Sequence, residues 1–183
     1  MPKCCFFEFG FTSRVIDRSP EFRYRLPRLM GWADGNAITG GGMSTIVGGD
    51  GTEATRAVVA ELFRRMGARE PEPIAGLFAD EVDWFIPGDQ EVAPWVGRRG
   101  TRAEIAEFYR MLFGAVTPLS VEMRHLLVDG EVAIATGEFS SRMNATGRVL
   151  ESLFSIDVTV RDGRIVRYRL MEDTHAVVLS LAP

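Results

Sequence analysis

Two glutamates are the residues of this chain best suited to do chemistry. Glu172 closes a segment in which Val166, Tyr168 and Leu170 alternate with Arg167 and Arg169. Strand side chains point alternately to two faces, so the even set is expected on an apolar face and the arginines on the other. Glu172 continues the even set. An ionised carboxylate among apolar neighbours is costly unless it is paired, solvated or protonated, which makes it a candidate proton donor or acceptor. Carrying strand pairings across the following elements puts Val121, Glu138, Ser152 and Glu172 in one row. His125, Ile134, Ile156 and Tyr168 form a second row. With strands about 4.8 Å apart, Glu138 and Glu172 would stand roughly 10 Å apart with Ser152 between them. Two carboxylates in unlike surroundings can serve as acid and base, and His125 with Tyr168 or Tyr109 would polarise a substrate oxygen. The competing readings are plainer: both glutamates hydrated at an open rim, and His125 a hydrogen-bonded core histidine.

The elements that must position these groups follow from periodicity. Asp50-x-x-Glu53 signals a helix start, and Val58, Val59, Leu62, Phe63 and Met66 continue as one helical stripe. Pro71 and Pro73 open a short second helix. Val82, Trp84 and Ile86 alternate as a strand that stops at Pro87-Gly88, and an irregular loop follows. Thr101-x-x-Glu104 is a capping box ahead of the stripe Ile105, Phe108, Tyr109, Leu112 and Phe113. From Leu119 the period switches to two. Leu119, Val121, Met123, His125 and Leu127 share a face; Asp129-Gly130 predicts a two-residue hairpin turn; Val132, Ile134, Thr136 and Glu138 return on the same face. A loop over residues 143–147 leads to a strand with Ser152, Phe154, Ile156, Val158 and Val160 on one side. A three-residue loop, Arg161 to Gly163, then pairs Val160 with Arg164 and Phe154 with Leu170.

Composition sets the outer limits. The chain has 183 residues, 46% hydrophobic and 25% charged, which suits one domain with a real core. A net charge of -4 argues against nucleic acid as a partner. Its two cysteines, Cys4 and Cys5, are adjacent, so no disulfide framework is expected, and the histidines His125 and His175 lack metal-ligand spacing. No cofactor and no membrane partner are expected, and the simple location is the cytoplasm. Residues 1–50 lack periodicity and end in glycine-rich sequence; they are expected to be a disordered or artefactual extension, with the domain spanning 51–183.

A run of local sequences carries a resemblance. These are Leu77-Phe78-Ala79-Asp80-Glu81-Val82-Asp83-Trp84, Pro87-Gly88-Asp89, Pro94-Trp95-x-Gly97, Glu104-Ile105-Ala106-Glu107-Phe108-Tyr109, Asp162-Gly163-Arg164-Ile165 and Asp173-Thr174. In this order and spacing the chain resembles the NTF2-like superfamily, and within it the SnoaL-like and ketosteroid-isomerase-related branch, over roughly residues 53–180. The resemblance implies an α+β, cone-shaped (cystatin-like) fold, with three N-terminal helices packed on a curved antiparallel sheet that encloses a pocket. It further implies a small apolar ligand of polyketide, terpene or steroid-like character, and a homodimer packed through the outer sheet face. Arg167 and Arg169, with Asp157 and Glu151, would suit that interface. Pocket walls are expected from Trp84, Ile86, Tyr109, Ser152, Phe154, Tyr168 and Leu170. The general-base position of ketosteroid isomerases falls on Ile86, the protonated-aspartate position on Phe154 and the partner tyrosine on Leu62, so steroid isomerisation by that route is not expected. Leu170 takes the last-strand carboxylate position of limonene-epoxide-hydrolase-like proteins. The function expected is small-molecule binding with cofactor-independent acid/base chemistry, an isomerase, cyclase or hydrolase acting on an oxygenated apolar compound. The alternative is a binding or dimerisation module without catalysis.

Overall fold

The computed structural model describes residues 23–25 and 50–182. The expectation for residues 1–50 therefore falls almost wholly outside the described residues; within them a strand β1 (Arg23–Arg25) is assigned. The rest runs α1 (Asp50–Ala68), α2 (Pro71–Ala75), β2 (Phe78–Ile86), β3 (Gly97–Thr101), α3 (Arg102–Ala115), β4 (Val116–Asp129), β5 (Val132–Met143), β6 (Val149–Arg161), β7 (Arg164–Glu172) and α4 (Thr174–Leu181).

Helix α3 starts where the capping box places it. Thr101 Oγ1 accepts from the Glu104 N–H, and the Glu104 carboxylate accepts from the Thr101 N–H at 3.0 Å. The strands form one open, curved sheet in the order β1-β4-β5-β6-β7-β2-β3. β1 pairs parallel to β4 and β2 parallel to β7, and the other neighbours are antiparallel. Helix α1 lies against β4 to β6 and α3 against β2 to β4, so one sheet face meets the helices and, among the described residues, no helix covers the other. This is the α+β cone that the resemblance implies.

Register departs from the sequence reading in ways that decide which residues face the helices. The first hairpin turns at Gly130-Glu131, one residue later than expected: Asp129 pairs with Val132 and Leu127 with Ile134. Gly130 sits at φ +55, the left-handed conformation that suits the first central position of a two-residue loop. β4 also carries irregularities at Leu119 and Arg124. Each inserts one unmatched residue and reverses which side its successors face. Met123 therefore points inward with Leu126 and Val128 after it, while His125 and Leu127 point outward.

On β5 the inward set is Ala133, Ala135, Gly137, Phe139, Ser141 and Met143, not Val132, Ile134, Thr136 and Glu138. Val132 and Ile134 are 42% and 38% exposed. The physical reason is close approach. Ala133 and Ala135 share the core with Val59, Leu62 and Phe63 of α1, where larger side chains would hold the helix off the sheet.

The last hairpin uses a two-residue loop, Asp162-Gly163, with Arg161 opposite Arg164. A bulge at Val166 follows. Ile165, fully buried, takes the inward place expected for Val166, and Tyr168, Leu170 and Glu172 then face in as the alternation requires. The bulge also moves the pairing along, so Leu170 lies opposite Ile156, and Glu172 opposite Phe154 rather than Ser152.

Candidate functional site

Between the helices and the inner sheet face lies a cavity of about 170 Å³. Its wall is almost wholly hydrophobic. Phe63 and Met66 come from α1, Phe108, Leu112 and Phe113 from α3, and Trp95 from the β2–β3 connection. Ile86, Val121, Phe139, Phe154 and Ile156 supply the sheet side, and Val177 closes it from α4. Among the described residues only two charged ones reach the wall, Glu172 and Arg69, and the polar side chains among the rest are Ser141, Tyr168 and Trp95.

Glu172 is held there by its chain neighbours. It ends β7, and the following Asp173 N–H donates to Ser152 Oγ at 2.9 Å, whose own hydroxyl donates to the Leu153 carbonyl at 2.8 Å. The Asp173 carboxylate then caps α4 by accepting from the Ala176 N–H at 2.9 Å. The backbone on the C-terminal side of Glu172 is thus fixed twice, and the helix that begins there returns Val177 to the cavity. Burial alone pushes the Glu172 carboxyl up from its ordinary value of 4.5 to about 7. A desolvated carboxylate loses hydration without gaining a cation, so the neutral form gains.

The other expected acid and the histidine lie elsewhere. Glu138 pairs with Glu122 and Leu153 across the sheet and points away from the helices; its carboxylate accepts from Arg124 at 2.6 Å on the exposed face. The bulge at Arg124 and the one-residue shift at the β5–β6 loop, where Arg142 pairs with Val149, put it there. Glu138 and Glu172 share neither a row nor a face. His125 is exposed and lies opposite Thr136, outward because of the bulge at Arg124. The row of His125, Ile134, Ile156 and Tyr168 is not formed.

Of the expected wall residues, Ile86, Phe154, Tyr168 and Leu170 line the cavity. Ser152 is buried but acts on the Asp173 backbone instead. Trp84 and Tyr109 are fully buried behind the wall. Trp84 stacks on Tyr168 at 4.0 Å and 13°, and packs edge-on against Phe108 at 4.9 Å and Tyr109 at 6.1 Å. They fix the rings that do face the cavity. The polar cavity residues that the sequence reading passed over are Ser141 and Arg69. The small residues of β5 were the signal for Ser141, since whichever parity contains Ala133 and Ala135 must contain it. Arg69 follows a helix end and carries no periodic signal.

Among the described residues, no group of three or more His, Cys, Asp and Glu side chains could hold a metal ion, and no helix is long and apolar enough to cross a membrane.

Comparison with known proteins agrees on the architecture. A family model for the SnoaL-like domain matches residues 59–168. No curated protein matches in sequence. Among solved structures, an NTF2-like protein from Burkholderia xenovorans LB400 is 23% identical with a TM-score of 0.65, covering 72% of this chain and 98% of that one. TerC, co-crystallised with polyporic acid, is 19% identical with a TM-score of 0.62, covering 70% and 98%. An LEH-like epoxide hydrolase from M. tuberculosis is 15% identical with a TM-score of 0.57, covering 71% and 90%. At such identities the likeness is one of fold, and function has to be argued from the site. The matched segment runs from the middle of α1 to Tyr168 in β7 and takes in most of the cavity wall, and this chain belongs to the SnoaL-like family, with an NTF2-like fold.

Proposed function

We propose that this protein binds a small, mainly apolar, oxygen-bearing molecule in its cavity and moves a proton on it with Glu172, without a cofactor. The observation that carries this reading is a carboxyl group, the only one among the described residues of an apolar cavity wall, whose burial pushes its pKa up to about 7. Near neutrality such a group is present in both protonation states, which is the condition under which one residue can be base and acid in turn. As carboxylate it takes a proton from a carbon next to a carbonyl; as carboxylic acid it returns that proton to another atom on the same face. An isomerisation by this path needs one carboxyl group, so Glu138 has no part in it. The acid form alone would open an epoxide or protonate a leaving oxygen, steps that belong to cyclisation, dehydration or hydrolysis. Ser141 supplies a hydroxyl to the same cavity for the substrate oxygen. That TerC was co-crystallised with polyporic acid supports an aromatic, oxygenated ligand as a starting class.

The test has two stages. Thermal-shift screening against quinone, terpene and cyclic ketone panels identifies a ligand, and turnover is then compared with the Glu172→Gln variant. The expected result is unchanged affinity with turnover reduced by about 10²–10⁴-fold. Unchanged turnover would remove Glu172 from the reaction. Tight binding with no turnover of any ligand in the wild type would leave the alternative, a binding module.

The sheet face that no described helix covers favours a second copy of the chain as partner. Leu127, Leu153 and Met171 are 66%, 64% and 49% exposed there, next to Val132 and Ile134. Around them run polar groups, among them the Arg124–Glu138 and Arg167–Asp157 pairs. An apolar patch rimmed by polar residues is the usual form of a protein interface. A homodimer is expected by size exclusion with light scattering, and Leu153→Glu should give a monomer whose fold is intact by circular dichroism. A wild type that stays monomeric at high concentration rules this partner out.

A further inference from the structure

Arg69 ends α1 in a left-handed turn, at φ +57, with its N–H donating to the Met66 carbonyl at 3.1 Å and the Glu70 N–H reaching the Arg65 carbonyl at 3.3 Å. Glycine is the usual residue at such a helix end, because any other side chain adds strain there. The turn lays the arginine side chain along the cavity wall. Its guanidinium stands 4.7 Å over the Phe113 ring, and Nη2 donates to the Phe113 carbonyl and, at 3.4 Å, to that of Val116. Phe113 and Val116 are themselves wall residues. One nitrogen is therefore anchored at the end of α3, and no group among the described residues accepts from Nε or Nη1. Apart from Glu172, the described residues of the wall offer no other charge.

Resting on the cavity reading above, we infer that Arg69 is the ligand's anion-recognition residue and that the natural ligand is a small monoacid: an apolar ring or short chain carrying one carboxylate, enolate or phenolate oxygen. A guanidinium fixed through one nitrogen still presents two donors to an oxygen anion, and loss of surrounding water strengthens that contact. The apolar body of the ligand then occupies the rest of the cavity, and the proton chemistry takes place on that body. About 170 Å³ suits a body the size of a single ring, since an apolar cavity near 150 Å³ is enough for benzene. Arg69 is in this scheme the source of specificity, separate from the group that moves the proton.

Benzoate and benzamide test this, because they match in shape and differ in charge. Titration is followed at pH 6 and low salt through Trp95, whose indole lines the cavity. Benzoate is expected to bind at least tenfold more tightly than benzamide to the wild type. Arg69→Gln should weaken benzoate at least tenfold and leave benzamide within twofold, and Arg69→Lys should restore part of the difference. Should Arg69→Gln not fold, added salt weakening benzoate but not benzamide in the wild type and in Arg69→Lys decides the same question. Benzamide binding as well as benzoate, or Arg69→Gln weakening both alike, overturns this inference and leaves the cavity reading standing. If neither probe binds, the cavity reading fails and this inference with it.

Discussion

Raising the pH from 5 to 8 should cost the wild-type fold about 2–3 kcal/mol of stability through Glu172 alone, a loss that Glu172→Gln escapes. In the unfolded chain this carboxyl ionises near 4.5, and in the folded one only near 7. Between those values the native state holds a proton that the unfolded state has released. Stability must then fall as pH rises through the window, since it rises with pH only where the unfolded state binds more protons. Below the window both states are protonated and the group contributes nothing; above it the penalty is complete and constant. Urea unfolding of wild type and variant at several pH values gives the difference curve, in which the other carboxylates cancel. The buried amide of the variant adds an offset of about 1–3 kcal/mol that does not vary with pH, so the slope is the readout. A flat difference curve would mean that Glu172 is hydrated in the folded protein, and its place in the proposed chemistry would go with that result. The proposed activity and the stability share one cause. The desolvation that sets the carboxyl near neutrality is the same desolvation that strains the fold at alkaline pH.

Glu172 was readable in the sequence because its own strand alternates strongly in polarity. Arg167 and Arg169 cannot share a face with Tyr168 and Leu170 at low cost, so the inward set is settled whatever the neighbouring strands do. The capping box at Thr101 and the stripe of α3 were readable for a similar reason, each being a local pattern with one cheap solution. β5 has no such contrast. In Val132-Ala133-Ile134-Ala135 both faces are apolar, and hydrophobicity assigns the larger residues inward when packing against α1 requires the smaller ones there. The bulges at Leu119, Arg124 and Val166 are likewise silent in the sequence, and each reverses a parity on which a pairing argument depends. β3, with Gly97-Arg98-Arg99-Gly100-Thr101, has no apolar alternation to reveal it and is made by pairing with β2. The fold survives such errors because it rests on the order of elements. A two-residue site does not, which is why the partnership of Glu172 with Glu138 dissolved while Glu172 itself stayed in place.

A single methyl group added at Gly137 should destabilise the sheet through backbone as well as side-chain contacts. Gly137 faces inward on β5, between Met123 on β4 and Phe154 on β6. A Cβ there would stand 2.1 Å from the Glu122 carbonyl oxygen and 2.7 Å from Cε1 and Cζ of Phe154. The ring could turn aside, but the carbonyl belongs to the backbone of a paired strand and moves only if β4 moves. Overpacking of this kind costs about 1–3 kcal/mol and more when backbone must shift, while replacing a strand glycine returns only about 0.5–1 kcal/mol. Gly137→Ala should therefore lose about 2–4 kcal/mol in urea unfolding. The displaced Phe154 ring has the cavity to move into, directly across from Glu172, so ligand affinity should fall beyond what the lost stability explains. Phe154→Leu in the same chain relieves the ring contact but not the carbonyl contact, and the double variant should recover part of the loss, a coupling that independent sites would not show. If Gly137→Ala proves as stable as the wild type, then β4 and β5 can part at the bulge without cost, and the glycine has no role in seating Phe154 beside the Glu172 carboxyl.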